Sequence, residues 1–111
     1  MDLNISEKKA IVCASSRGLG KACAESLAKE GVEIIINGVN EENLRKTEEE
    51  FKSKGYKVSS VLGAMEDEST RENLLEACPE PDILINNSGG PPPGNFFDWS
   101  ENDFLAAIKS N

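Results

Sequence analysis

The feature that most constrains the fold is an alternation of short apolar runs with helix-like patterns along the whole chain. Apolar runs occupy residues 10–13, 34–36 and 83–85, a more alternating strand pattern occupies residues 57–62, and a helical pattern follows each of the four. A near-continuous apolar run is typical of a strand that is covered on both faces. Parallel strands need crossover connections, so the order β-α-β-α-β-α-β-α predicts an α/β fold with a parallel sheet and helices on both faces.

The first helical pattern carries its own start and stop signals. It begins after Gly18, and Leu19, Cys23 and Leu27 then recur at every fourth position, which marks an apolar face. Gly31 follows as a typical C-terminal stop.

The second and fourth helices are marked most clearly at their starts. Asn40 is the predicted N-cap of the second helix, and Ser100 with Asp103 opens the fourth helix in the manner of a capping box. Gly55 closes the second helix. The residues expected on the inward face of the second helix are Leu44, Thr47 and Phe51.

Composition excludes several classes of function. The formal charge is −8, from 20 acidic and 12 basic residues, which argues against a nucleic-acid partner because such affinity rests largely on Lys and Arg. There is no histidine, so we expect neither an imidazole base nor a metal site. Cys13, Cys23 and Cys78 form no C-x-x-C pair, which predicts reduced, buried thiols. No apolar segment reaches membrane-spanning length, so we expect a cytoplasmic protein without membrane contacts.

A glycine-containing turn joins the first apolar run to the first helix. Its sequence, ASSRGLG, contains Gly18 and Gly20, which let the backbone bend and approach a pyrophosphate at the helix N-terminus. Two glycines alone are weak evidence, and an ordinary strand-to-helix turn remains the alternative. A Walker-type loop is excluded, because Ser15 stands where that motif needs glycine and Lys21 is followed by Ala22.

A second motif after the fourth apolar run makes the glycine turn more specific. Residues 13–20 read CASSRGLG, and residues 86–89 read NNSG. This pair resembles the Thr-Gly-x-x-x-Gly-x-Gly and Asn-Asn-Ala-Gly motifs of the short-chain dehydrogenase/reductase family, especially its 3-oxoacyl-acyl-carrier-protein reductases. The resemblance extends over essentially all of the chain and includes Trp99. It implies a Rossmann-type sheet of order 3-2-1-4, the front half of a doubly wound fold, with a cofactor crevice at the carboxyl ends of the strands.

The resemblance also implies where a nicotinamide dinucleotide would bind. The implied cofactor-binding residues are Ala14, Ser15, Ser16, Arg17, Gly18, Leu19, Gly20, Asn37, Ala64, Met65, Asn87, Ser88 and Gly89. A structural role is the alternative for several of them. Asn87 is suited to satisfying loop backbone, Gly89 to a turn with positive φ, and Met65 to the core.

Two features favour NADP over NAD as the cofactor. Arg17 stands where NADP-preferring relatives carry a basic residue for the 2′-phosphate. The second strand is followed by Asn37, Gly38 and Val39 rather than by the acid that binds the ribose of NAD. Val39, however, takes the place of the family's usual arginine, so NAD remains the alternative.

The family's catalytic residues are almost wholly missing. Its Tyr-x-x-x-Lys has no match, since Tyr56 is followed four residues later by Ser60, and only Asn111 matches a catalytic-site residue. We therefore predict one domain, residues 1–111, which forms the N-terminal portion of an NADP-dependent reductase and stops inside the fourth helix. The complete protein is expected to act on a small carbonyl or alcohol substrate as a homo-oligomer. A non-catalytic nucleotide-binding or interaction module and a degenerate fragment are the alternatives.

Overall fold

The structure is a computed structural model that describes residues 2–89 and 94–110. Four strands alternate with four α-helices, and a short 3₁₀ helix, Phe96–Asp98, precedes the last of them. The elements are β1 (Lys9–Val12), α1 (Gly18–Lys29), β2 (Glu33–Gly38), α2 (Glu41–Ser53), β3 (Val58–Leu62), α3 (Glu68–Ala77), β4 (Ile83–Ile85) and α4 (Glu101–Ser110). The predicted order of strands and helices is confirmed.

The four strands form a parallel sheet of order β3-β2-β1-β4, as predicted. The register brings Val12 of β1 opposite Ile36 of β2 and Ile85 of β4. All four strands therefore end at the same edge, and the turns that follow them lie next to one another.

Alternate strand residues bury opposite faces of the sheet, and helices cover both faces. On one face the strand residues pack with the buried residues of α1 and α2; this cluster contains Ala10, Val12, Ala24, Ala28, Val32, Ile34, Ile36, Leu44 and Phe51. On the other face a smaller cluster forms around α3, with Ile11, Cys13, Ile35, Leu74 and Cys78. Since a strand places successive side chains on opposite faces, the apolar runs of β1 and β2 supply both clusters.

The buried face of α1 differs from the apolar stripe of its sequence. Leu19 is 81% exposed, Cys23 is exposed and Leu27 is only half-buried, whereas the buried residues are Gly20, Ala24 and Ala28. These small residues bring the helix axis close to the sheet, so the stripe of larger side chains is rotated away. The prediction of three buried thiols is accordingly wrong for Cys23, while Cys13 and Cys78 are buried.

The predicted starts of α2 and α4 are confirmed. The Asn40 side chain accepts a hydrogen bond from the Asn43 N–H at 2.9 Å. In α4 the Ser100 Oγ accepts from the Asp103 N–H at 3.2 Å, and Asp103 Oδ2 accepts from the Ser100 N–H at 2.8 Å. The inward residues of α2, namely Leu44, Thr47 and Phe51, are buried as predicted.

β4 lies at the edge of the sheet, where Leu84 is exposed and Ile83 and Ile85 are half-buried. Across residues 2–89 and 94–110 no helix is both long and apolar enough to cross a membrane.

Candidate functional site

A cleft of about 390 Å³ opens at the carboxyl ends of the strands, beside the start of α1. It brings together all of the predicted cofactor-binding residues except Ser15 and Gly20. Those that line it are Ala14, Ser16, Arg17, Gly18, Leu19, Asn37, Ala64, Met65, Asn87, Ser88 and Gly89. Three segments far apart in sequence thus meet in one place.

Four further residues line the cleft without having been predicted as binding residues: Gly38, Val39, Gly63 and Glu66. Each lies at or just beyond the end of β2 or β3. The rule that ligands of parallel sheets bind beyond the carboxyl ends of the strands would have pointed to them.

Ser15 and Gly20 lie beneath the cleft and shape its floor. Ser15 is fully buried; its Oγ donates to the Val12 carbonyl at 2.7 Å and accepts from the Asn37 N–H at 2.9 Å. A Cβ on Gly20 would lie 2.1 Å from the Ala14 carbonyl oxygen. Ser15 therefore ties the turn to β2, and Gly20 lets α1 approach the turn.

Two asparagines hold the first residue of the turn. Ala14 donates its N–H to Asn37 Oδ1 at 3.1 Å and accepts at its carbonyl from Asn87 Nδ2, also at 3.1 Å. Asn87 thus connects the loop after β4 to the turn after β1. The bond to the Ala14 carbonyl shows that Asn87 satisfies loop backbone. Both asparagines also line the cleft.

The start of α1 has no internal partner for its first amides. Arg17 is at the N-cap but makes no side-chain capping bond, and the first turn contains no acidic residue. The first backbone bond of the helix runs from the Lys21 N–H to the Arg17 carbonyl at 3.3 Å. Within residues 2–89 and 94–110 the preceding N–H groups, of Gly18, Leu19 and Gly20, have no hydrogen-bond acceptor, so they are available to a ligand or water. An anion in the cleft would meet these amides and the positive end of the helix dipole.

The outer part of the turn is held by α2. Thr47 Oγ1, which is buried, donates to the Ser16 carbonyl at 2.7 Å. Lys21 Nζ lies 3.3 Å from Glu50 Oε1 and links the first turn of α1 to α2. The turn is therefore braced from both sides before any ligand arrives.

The charged side chains that line the cleft are Arg17 and Glu66, both exposed. Arg17 lies beside the free amides, so that end of the cleft is electropositive. Below the cleft, burial raises the pKa of the Cys13 thiol, and the hydrogen bond from the Asn87 backbone only partly offsets this. Cys13 is thus a protonated core thiol rather than a nucleophile.

The comparison with known families follows this geometry. The short chain dehydrogenase model matches residues 8–111. The chain belongs to the short-chain dehydrogenase family.

Individual relatives are similar to the chain over nearly its whole length. It is 39% identical over 114 residues to the uncharacterized oxidoreductase YvaG of Bacillus subtilis, and the match covers 100% of the chain and 43% of YvaG. It is 32% identical over 110 residues to the NADPH-dependent reductase BacG of the same organism, covering 94% of the chain and 42% of BacG. The crystal structure of L-sorbose reductase from Gluconobacter frateurii, complexed with NADPH and L-sorbose, superimposes with a TM-score of 0.83 at 28% identity. That match covers 98% of the chain and 46% of the reductase. The chain thus spans less than half the length of these relatives.

Two residues from the catalytic comparison, Tyr56 and Asn111, lie apart from the cleft lining or outside the described residues. Tyr56 packs edge-on against Phe51, with ring centroids 5.7 Å apart, and so belongs to the packing around α2. Asn111, the predicted catalytic-site residue, lies outside the described residues. Among those that are described, no group of three acidic, cysteine or histidine residues could hold a metal ion.

Proposed function

We propose that this chain is the dinucleotide-binding half of an NADP-dependent short-chain oxidoreductase that interconverts a small carbonyl compound and an alcohol. The observation that carries the proposal is the start of α1, where Gly18, Leu19 and Arg17 line the cleft and the first amides of the helix have no side-chain cap. The residues present fit a dinucleotide, because the cleft has backbone amides for phosphate beside the start of α1 and is lined further by residues that follow β2, β3 and β4.

The pyrophosphate would lie at the N-terminus of α1. The N–H groups of Gly18 and Leu19 point there, and the helix dipole favours negative charge at that end. Gly18 has a φ of +63°, and a Cβ there would have nothing within 4 Å. A glycine is therefore favoured at this position by the backbone conformation and not by lack of space. Gly20, in contrast, is required by the close approach of the helix to Ala14.

The 2′-phosphate of NADP would be bound by the Arg17 guanidinium. Arg17 is exposed at the cleft, and charge-assisted hydrogen bonds from a guanidinium to phosphate are strong. The end of β2 offers no carboxylate to the ribose, since Gly38 has no side chain and Val39, 73% exposed, is apolar. Asn37 is occupied by its bonds to Ala14 and to the end of β3. These observations favour NADP over NAD.

The other predicted residues would contact the ends of the dinucleotide. Ala64 and Met65, which follow β3, would contact the adenine, whereas Asn87, Ser88 and Gly89, which follow β4 on the opposite side of β1, would contact the other end. A bound nicotinamide cofactor would supply the hydride chemistry, and this chain would bind and orient it. Asn111 remains a predicted catalytic-site residue. The substrate class is supported by the L-sorbose reductase to which the chain is similar, and we propose a cytoplasmic homo-oligomer.

Calorimetric titration of the purified protein with NADPH and with NADH tests this proposal. We expect NADPH to bind at least about tenfold more tightly, a difference of about 1.4 kcal/mol. Arg17→Ala should remove most of that preference by weakening NADPH binding while leaving NADH binding nearly unchanged.

Arg45→Ala is the matched control, because Arg45 is an exposed arginine that pairs with Glu41 on α2 outside the cleft. It should leave both affinities unchanged. Equal or tighter binding of NADH by the unmodified protein would contradict the NADP preference. A lack of binding to either nucleotide would contradict the proposed function itself.

A further inference from the structure

The turn after β1 contains a residue whose backbone conformation is unfavourable for its type. Ala14 has a φ of +47°, in the left-handed region where a Cβ is disfavoured and glycine is the usual occupant. The other described non-glycine residues with positive φ, Asn4 and Glu7, lie near the N-terminus, far from the cleft in sequence. Surrounding contacts must therefore hold Ala14 in this conformation.

One of those contacts comes from Asn37, which binds the Ala14 N–H. Asn37 is buried, with 2% exposure, and its side chain makes three hydrogen bonds. Its Nδ2 donates to the carbonyls of Val61 at 3.1 Å and Gly63 at 3.0 Å, while its Oδ1 accepts from the Ala14 N–H at 3.1 Å. Two carbonyl acceptors on one side fix which end of the amide is the nitrogen. The oxygen must then face Ala14.

This arrangement makes Asn37 a bridge between three strand ends. It lies in β2, takes its acceptors from the end of β3 and the residue after it, and binds the turn that follows β1. An aspartate at residue 37 would place a carboxylate oxygen against the two carbonyls, and a smaller side chain would lose all three of these hydrogen bonds. Residue 37 therefore needs a side-chain amide, and the side chain must have the length of asparagine.

We propose that Asn37 is a positioning residue for the nucleotide: its amide holds Ala14 in the left-handed conformation and so aims the first amides of α1 into the cleft. The proposal rests on the proposed function above. If Ala14 relaxed to negative φ, the path from β1 to α1 would change, and Gly18 and Gly20 would leave their positions. A glycine at residue 14 would need no such support, which provides a specific test.

The test is a double-mutant cycle on the purified protein with NADPH as the ligand, followed by calorimetry. Asn37→Ala should weaken NADPH binding at least about tenfold. Adding Ala14→Gly should restore the affinity to within about threefold of the unmodified protein, because glycine adopts the turn conformation unaided. Ala14→Gly alone should change the affinity less than about twofold.

Thr47→Val is the matched control, since it removes a buried hydrogen bond to the Ser16 carbonyl of the same turn without touching Ala14. Ala14→Gly should not rescue whatever binding Thr47→Val loses. The proposal is overturned if Asn37→Ala binds NADPH normally, if Ala14→Gly fails to rescue it, or if both variants are rescued alike.

Urea unfolding keeps this inference separate from the proposed function. Ala14→Gly should raise the unfolding midpoint of the unmodified protein by relieving strain, and it should not do so in Asn37→Ala, where the strain is already released. An equal rise in both backgrounds overturns the role of Asn37 whether or not the protein binds NADPH. If Asn37→Ala does not fold, Asn37→Ser replaces it with the same expected outcomes.

Discussion

The two helices that flank β2 begin in opposite ways. α2 begins with Asn40, which caps the Asn43 N–H, and with two glutamates, Glu41 and Glu42, in its first turn. α1 begins at Arg17 with no side-chain cap and no acidic residue in its first turn. Both helices pack on the same face of the sheet, so the difference comes from their termini rather than from their packing.

The contrast indicates which end is built for stability and which for a ligand. A side-chain cap stabilises a helix by about 1 kcal/mol, and acids in the first turn add to this. α1 lacks both contributions and presents its amides to the cleft instead. A bound phosphate would satisfy those amides and complement the dipole. Under the proposed function a ligand would complete the start of α1, whereas the start of α2 is completed by its own sequence.

Gly20→Ala should have the largest effect on the start of α1. A Cβ would lie 2.1 Å from the Ala14 carbonyl oxygen, so the helix must move away from the turn. We expect a loss of about 3 kcal/mol in the free energy of unfolding, measured by urea titration, together with loss of nucleotide binding. Gly18→Ala is the comparison, because its Cβ would meet open space and only its positive φ is unfavourable, at about 1 kcal/mol. Equal losses for the two variants would show that close approach is not the reason for Gly20.

Leu19→Asp would make the start of α1 resemble that of α2. Leu19 lies exposed in the first turn and lines the cleft. The new carboxylate should raise the free energy of unfolding by about 0.5 kcal/mol through the helix dipole, yet weaken NADPH binding about tenfold or more by repelling phosphate. Leu19→Asn serves as the uncharged control. Similar affinities for the two variants in calorimetry would argue that phosphate does not bind there.

Asn40→Ala should damage α2 without damaging the cleft. Loss of the bond to the Asn43 N–H should lower the free energy of unfolding by about 1 kcal/mol. NADPH affinity should stay within about twofold of its original value, since the cap is internal to α2. Asn40→Ser retains a capping oxygen and should recover most of the stability. A larger effect on affinity than on stability would mean that the start of α2 also serves the ligand.

The smallest effect should be the pH dependence of the start of α4. Hydrogen bonds from the Ser100 N–H and hydroxyl lower the pKa of Asp103 below its ordinary value. A carboxyl whose pKa is lower in the folded state stabilises it fully above the unfolded pKa, about 3.9, and loses that contribution as the pH falls through the folded pKa. The protection of the first-turn amides of α4, measured as their exchange rate relative to the intrinsic rate at the same pH, should therefore fall only below about pH 4. Asp103→Asn should remove this pH dependence, and an unchanged profile in that variant would assign it to another group.

Sequence reasoning was most successful where the signal was local. The caps at Asn40 and Ser100 depend on residues three positions apart, and the inward residues of α2 follow the helical period. It was least successful for α1, where the larger side chains at Leu19 and Cys23 suggested the wrong face. Helical periodicity locates apolar side chains, but the close approach of Gly20, Ala24 and Ala28 to the sheet depends on packing that no local pattern encodes.

The candidate site shows the same division. The glycine turn and the asparagine motif identified most of the cleft, because both are short segments with a recognisable spacing. Gly38, Gly63 and Glu66 line the cleft but were not identified. Ser15 was expected to contact the cofactor, but it is buried beneath the cleft. Whether the side chain of a turn residue lines the cleft or is buried beneath it depends on how the turn is oriented relative to the neighbouring strands.

The sequence by itself determined the alternation of strands and helices, the parallel sheet and the absence of histidine chemistry. These follow from the period of the apolar residues, the need for crossover connections and the composition. The strand order 3-2-1-4 was implied by the resemblance of the two motifs, and the structure confirms it. Only the tertiary structure decided that Asn37, at the end of β2, and Asn87, after β4, both hydrogen-bond to the backbone of Ala14. That arrangement depends on hydrogen bonds between residues 23 and 73 positions apart, which form only once the sheet has brought the strand ends together.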